Sequence, residues 1–199
     1  GCMFGVIDFY NECSRNGIKP IIGCELYIAS GSRFDKGKNS KNYHCLLLAK
    51  NYEGYRNLLK LVSLAYIEGF YYKPRIDKEL LSKYSENLIC LAACAKGEIQ
   101  RHIVLNDFES AEKSVEDYLS IFGRDNFYFE IQRHYLQEEE EIIKAFAKYS
   151  RKYGIQLVAT NDAHYIERAD SEYHDALLCI QTGHNIADTD RMKYSGSEL

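Results

Sequence analysis

Short apolar runs alternate with amphipathic stretches along almost the whole chain, and that alternation narrows the possible folds more than anything else in it. Residues 18–29 (IKPIIGCELYIA), 43–51 (YHCLLLAKN), 87–94 (NLICLAAC), 127–134 (FYFEIQRH) and 155–160 (IQLVAT) read as strands. Apolar residues recur at helical spacing over about 6–16, 52–68, 97–105, 108–122, 136–153 and 170–182. Val6, Ile7, Phe9, Tyr10 and Cys13 form the first stripe. Leu58, Leu59, Leu61, Val62 and Ala65 form the second. In the last helix Tyr173, Ala176, Leu177 and Ile180 are expected to face inward. Alternation of this kind predicts an α/β fold with a parallel or mostly parallel sheet, open or barrel-like. With 199 residues, 46% of them hydrophobic, the core of one domain can be ample.

Chemistry-bearing residues gather at or near the strands. Asp162 and His164 lie in Asn-Asp-Ala-His-Tyr just past the run 155–160. In strand-like geometry residues two apart point the same way, so a carboxylate and an imidazole could reach one centre. A capping Asp beside a surface His explains the same letters. Glu25 sits inside an apolar run, where it either faces solvent or needs a partner, because burying a lone charge is costly. His44 starts its strand. Cys94 ends one, where site residues collect in α/β folds, whereas Cys90 reads as a small buried hydrophobe. Oxygen, nitrogen and sulfur donors together would suit zinc, manganese or iron, and a metal-assisted phosphoesterase is the chemistry such a set allows.

Other features are more ambiguous. Residues 31–42 form a polar, lysine-rich loop, expected to be mobile and either solvated or close to a phosphate backbone. Lys73 and Arg75, beside Tyr71 and Tyr72, can hold a nucleic-acid strand by charge and stacking, or simply pack. The run Glu138–Glu141 is expected to be a solvated first helical turn. A net charge of −4 argues against the whole chain as a polyanion binder. Seven cysteines without a CxxC pair suit reduced thiols in the cytoplasm, and no apolar run is long enough for a bilayer.

The segments GIKPIIGCELYIA, YHCLLLAKNYEGYRNLLKLVSLAYIEGFYYKPRIDKELL, LICLAACAKGEI and ATNDAHY, in this order, resemble the PHP (polymerase and histidinol phosphatase) domain of bacterial DNA polymerase III alpha subunits. The resemblance implies a distorted (β/α)7 barrel, here incomplete, with a divalent-metal cluster (zinc, manganese or iron). Its ligands would be Glu25, His44, Cys94, Asp162 and His164, with Glu25 and Asp162 catalytic and Lys73 and Arg75 touching nucleic acid. Residues 1–185 would be the PHP domain and residues 186–199 the start of the connection toward the polymerase palm. The family's first metal motif, with two histidines and an acid, and its Thr-Asp-His segment are not in the sequence. The isolated chain is therefore expected to hold metal weakly or not at all and to be inactive alone. The parent is expected to extend DNA from dNTPs on a primer–template with magnesium, among other holoenzyme subunits and away from membranes. The domain is then either a metal-dependent 3′–5′ exonuclease or an inactive brace that docks partners. A free-standing phosphatase acting on a small phosphate ester fits less well.

Overall fold

The computed structural model describes residues 1–37, 40–134 and 136–194. One sheet contains six strands: β1 (Gly23–Ala29), β2 (Asn42–Ala49), β3 (Arg75–Ile76), β4 (Leu88–Leu91), β5 (Phe127–Ile131) and β6 (Leu157–Ala159). Their order is β3-β1-β2-β4-β5-β6. β1 pairs with β3, β4 with β5 and β5 with β6 in parallel, whereas β2 is antiparallel to both β1 and β4. The mostly parallel sheet thus has one reversed member.

Period-two alternation decides which way β1 and β2 face. Cys24, Leu26 and Ile28, with Tyr43, Cys45 and Leu47, are buried in the core. Glu25, Tyr27, His44 and Leu46 take the other face and are only half-buried. The helices are α1 (Val6–Arg15), α2 (Tyr52–Ile67), α3 (Lys78–Lys83), α4 (Glu98–Val104), α5 (Phe108–Phe122), α6 (Gln137–Tyr153) and α7 (Ser171–Thr182).

Their starts and stops are local. Asn51 caps α2 by accepting the Gly54 N–H, and Asp107 caps α5 by accepting the Ser110 N–H. Gly154, in the left-handed region at φ +67°, closes α6. Leu58, Leu61, Val62 and Ala65 of α2, Ala111, Val115, Tyr118 and Phe122 of α5, and Ile142, Phe146 and Tyr149 of α6 face the core at helical spacing. There Tyr118 stacks on Phe127 at 5.3 Å and Phe129 on Phe146 at 4.5 Å between ring centres.

Several expectations change. Residues 69–77, expected from their composition to be a turn, contain β3, and α3 follows directly. The loop after β1 is tied down rather than mobile at Arg33. That guanidinium donates to Glu68 Oε2 at 2.7 Å and to both Asp77 oxygens at 3.0 Å, while Asp77 also caps α3 through the Leu80 N–H. Arg75 is fully buried and donates to the carbonyls of Gly69, Arg33 and Asp35 and to Ser40 Oγ. It braces the loop from inside the fold, where it cannot meet a nucleic-acid strand. Gly69 lets this happen, because a Cβ there would collide with the Arg75 carbonyl. In α7 the buried residues are Leu178 and Cys179, while Tyr173, Leu177 and Ile180 are exposed. Within α1 no residue is buried, so its apolar stripe lies uncovered among the described residues. Lys38 and Asn39 of the polar loop and residues 195–199 of the expected connection lie outside the described residues.

Lys78 joins three helices, with Nζ 2.9 Å from both Glu98 Oε1 and Asp117 Oδ2. Burial works against the charge on Lys78, yet Glu98 and Asp117 raise its pKa. Burial likewise opposes ionisation of Asp117, yet the hydrogen bond and charge of Lys78 hold its pKa down.

Two outcomes are expected. Arg75→Met strands the carbonyls of the buried residues Gly69 and Arg33 and should lower stability by about 2 kcal/mol or more in urea unfolding. A pH series should give a second signature. The Asp117 contribution is complete above its unfolded pKa of about 4 and is lost as pH falls through the lower folded value; that of Lys78 is lost as pH rises through a folded value above about 10.4. The urea midpoints of the native chain and Asp117→Asn should therefore differ near neutral pH and converge in acid.

Candidate metal centre

The β1–β2 register sets the first two donors. Glu25 is opposite Leu46 and Tyr27 is opposite His44, so Glu25 and His44 are diagonal neighbours on the half-open face. The third donor comes from the turn after β4. The His44 N–H donates to the Lys96 carbonyl at 3.1 Å, and His44 and Gly97 form a parallel bridge, which docks this turn on β2. As a result His44 Nδ1 is 3.1 Å from Glu25 Oε1 and 3.5 Å from Cys94 Sγ. One donor atom from each of these three residues lies within 4.8 Å of the others.

Electrostatics couples the group. Burial disfavours a charged His44, but hydrogen bonds to Cys94 and Glu25 and the charge of Glu25 outweigh it and push its pKa up to about 9. Burial also opposes ionisation of Glu25, while His44, and the charge of His164, bring its pKa down. A carboxylate, an imidazole and a thiol are the donors a borderline divalent cation prefers, so the residues present fit such an ion, which would compete with the proton on His44.

Asp162 and His164 occupy the neighbouring loop and are not members of the three-residue group. β6 ends at Ala159, and Asp162 turns into the left-handed region at φ +51°, so the strand-like geometry expected for the pair is absent. His164 Nδ1 donates to the Asp162 carbonyl at 2.6 Å, leaving Nε2 to accept from the Tyr194 hydroxyl at 3.0 Å. Both side chains are exposed. His134 holds this loop from below: Nε2 donates to the Asn161 carbonyl at 2.7 Å and Nδ1 lies 2.8 Å from Glu139 Oε1. Burial opposes its charge, but these hydrogen bonds raise its pKa. Glu139 is buried through these contacts rather than solvated, unlike its neighbours Glu138, Glu140 and Glu141.

Lys73 is exposed, its Nζ 5.9 Å from the centre of the Tyr27 ring. Tyr27 in turn sets its edge against His44 at 5.1 Å. A cation therefore stands at the rim, one ring away from the centre. Sequence reasoning passed over Tyr27, although its place two residues after Glu25 put it on the same strand face. It had no signal for Tyr194, which reaches His164 from 30 positions away.

All seven cysteines are free, and none of the described helices is long and apolar enough to cross a membrane.

A family model described as "PHP domain" matches residues 1–134. The DNA polymerase III subunit alpha of Borreliella burgdorferi is 48% identical over 204 residues, covering 100% of this chain and 18% of that protein. The subunit of Treponema pallidum is 46% identical over 202 residues, and that of Thermus aquaticus 43% over 203, each covering 100% of this chain and 17% of the relative. The chain thus spans less than a fifth of the length of these curated relatives.

If the three donors act together, His44→Ala and Cys94→Ser should each weaken zinc binding, read by calorimetry, by at least the roughly 10–100-fold typical of losing an outer-shell partner. Unchanged zinc affinity in both variants would dissolve the centre.

Proposed function

The chain belongs to the PHP domain family, and from that premise we propose that it is the PHP portion of a replicative DNA polymerase III alpha subunit with a metal-dependent phosphodiesterase site of the 3′–5′ exonuclease kind. What carries the reading is the convergence of Glu25, His44 and Cys94 on one half-open face. Identity of 43–48% across this chain to part of named alpha subunits supports the polymerase context. Template-directed synthesis from dNTPs, with magnesium and a primer–template, belongs to the longer parent, acting in the cytoplasm with other holoenzyme subunits. The proposed architecture is a distorted PHP-type (β/α)7 barrel over residues 1–185, with 186–199 leading toward the polymerase palm.

Glu25, His44 and Cys94 would hold a divalent ion (zinc, manganese or iron), with Asp162 and His164 contributing from the adjacent loop. Such an ion, when bound, supplies Lewis acidity toward a phosphoryl oxygen and a more acidic water. The chain's own groups do the rest. Lys73 attracts the phosphate of an incoming strand. Tyr27 keeps the His44 ring in orientation by its edge contact. Without an ion, Glu25 Oε1, 3.1 Å from His44 Nδ1, is placed to accept the proton that ligation would displace. Asp162, exposed at the mouth, is the carboxylate proposed to accept a proton from the attacking water. The Arg75 part of the nucleic-acid reading is dropped in favour of Lys73 alone, since Arg75 is buried.

A second reading, in which the domain only braces the polymerase, draws support from one contact: the Tyr194 hydroxyl occupies the His164 nitrogen that a metal would need. The two readings separate in the full-length protein with a 3′-labelled single strand and manganese or zinc. Glu25→Gln and Asp162→Asn should each reduce release of the terminal nucleotide by about 100-fold or more while primer extension persists. Hydrolysis that is absent from the unaltered protein with either metal, or indifferent to both substitutions, would favour the brace.

A further inference from the structure

We propose that Gln100 and Glu130 are positioning residues that hold the turn at residues 92–97 so that Cys94 meets His44. The proposal rests on the metal-centre reading above. β4 ends at Leu91, and within three residues the chain must bring a sulfur beside an imidazole on the reversed strand. It does so through Ala93 at φ +68°, a left-handed conformation that a residue with a Cβ rarely adopts. Such a backbone persists only when its surroundings over-determine it.

Those surroundings are polar and buried. Gln100, 1% exposed in the first turn of α4, donates from Nε2 to the Ala92 carbonyl at 2.9 Å and to the Ala93 carbonyl at 2.7 Å. One amide thus grips both peptide carbonyls flanking the strained residue. From the other side comes Glu130 of β5, 5% exposed, which lines one small cleft with Ala93 and Cys94. Thr160 and Gln132 donate to Glu130 Oε1 and orient it. The Ala92 N–H binds the Tyr128 carbonyl at 3.0 Å, and the Gly97 N–H closes back on the Cys94 carbonyl at 2.8 Å. Position 97 admits no side chain, because a Cβ would strike both the Ala92 carbonyl and Gln100 Oε1.

Packing alone does not explain this pair. Gln100 Oε1 and Glu130 Oε2 are both buried without a hydrogen-bonding partner among the described residues, and both residues line one small cleft with Ala93, Cys94 and Ala95. Buried acceptors left over in this way are costly, and apolar side chains of similar volume would fill the space more cheaply. Their retained use is the orientation of the turn that carries Cys94.

The test uses the full-length chain and cobalt(II) as probe. Thiolate ligation gives a charge-transfer absorption that Cys94→Ser should abolish. Gln100→Glu keeps the size but presents only acceptors to two carbonyls. Glu130→Gln keeps the shape but removes the charge beside Ala93 and Cys94. Each should weaken cobalt binding about 10–100-fold and diminish the charge-transfer band in protein that remains folded; Gln100→Glu, which strands two buried carbonyls, should also lower the unfolding midpoint. Should Gln100→Glu fail to fold, Glu130→Gln carries the test. The rate of Cys94 alkylation in metal-free protein, located by peptide mass mapping, gives a readout without any ion. It should rise several-fold in each folded variant. Alkylation rates and cobalt spectra that match the unaltered chain would overturn the proposal. If the unaltered chain shows no thiolate band, the metal reading fails, and the alkylation rates decide the positioning of Cys94 by themselves.

Discussion

The antiparallel register between β1 and β2 is the constraint on which the rest of the molecule depends. Opposing Tyr27 with His44 places Glu25, Tyr27 and His44, with Leu46, on one face and six apolar residues on the other. A slip of β1 by one residue would turn Glu25 into the core and expose Leu26 and Ile28. Hydrophobic burial and site assembly are therefore enforced by the same pairing. A strand reversed in an otherwise one-way sheet also brings its first residues beside the turn that leaves β4, which is how Cys94 comes within reach.

Charged groups in this fold divide into two sets with different work. Arg33, Asp77 and Arg75 are buried, and their hydrogen bonds run to one another's neighbourhood and to main-chain carbonyls. They hold the β1–β2 connection against β3 and α3, and thereby protect the hairpin. Glu25, His44 and Cys94 keep part of their surface open and share a single nitrogen as their meeting point. Full pairing makes the first set inert, whereas incomplete satisfaction makes the second set available to a cation. Gln100 and Glu130 stand between the two, buried like the struts but with acceptors to spare beside Cys94.

Much of the fold could be read along the chain. Strands β1, β4, β5 and β6 fall inside the expected apolar runs, β2 begins one residue before its own, and α2, α5 and α6 agree with expectation to within a residue or two. These elements are marked by local signals: period-two or helical spacing, Asn51 and Asp107 as caps, Gly154 as a stop. β3 escaped because two residues carry no periodicity. The inward face of α7 was misjudged because its short apolar stripe is ambiguous, and Leu178 and Cys179 are the residues that find cover. Arg75 looked like a surface cation because nothing local reveals that four partners from 6 to 42 positions away converge on it.

By itself the sequence determined which residues could serve as donors and which segments become strands or helices, since both depend on side-chain type and short-range spacing. Tertiary structure alone decided which donors meet. Glu25, His44 and Cys94 converge because a cross-strand register and a strained turn bring them together. Asp162 and His164, equally plausible as letters, stay on a loop governed by His134 and Tyr194. Convergence of that kind depends on long-range packing, and no local pattern in the chain encodes the distance between side chains that far apart.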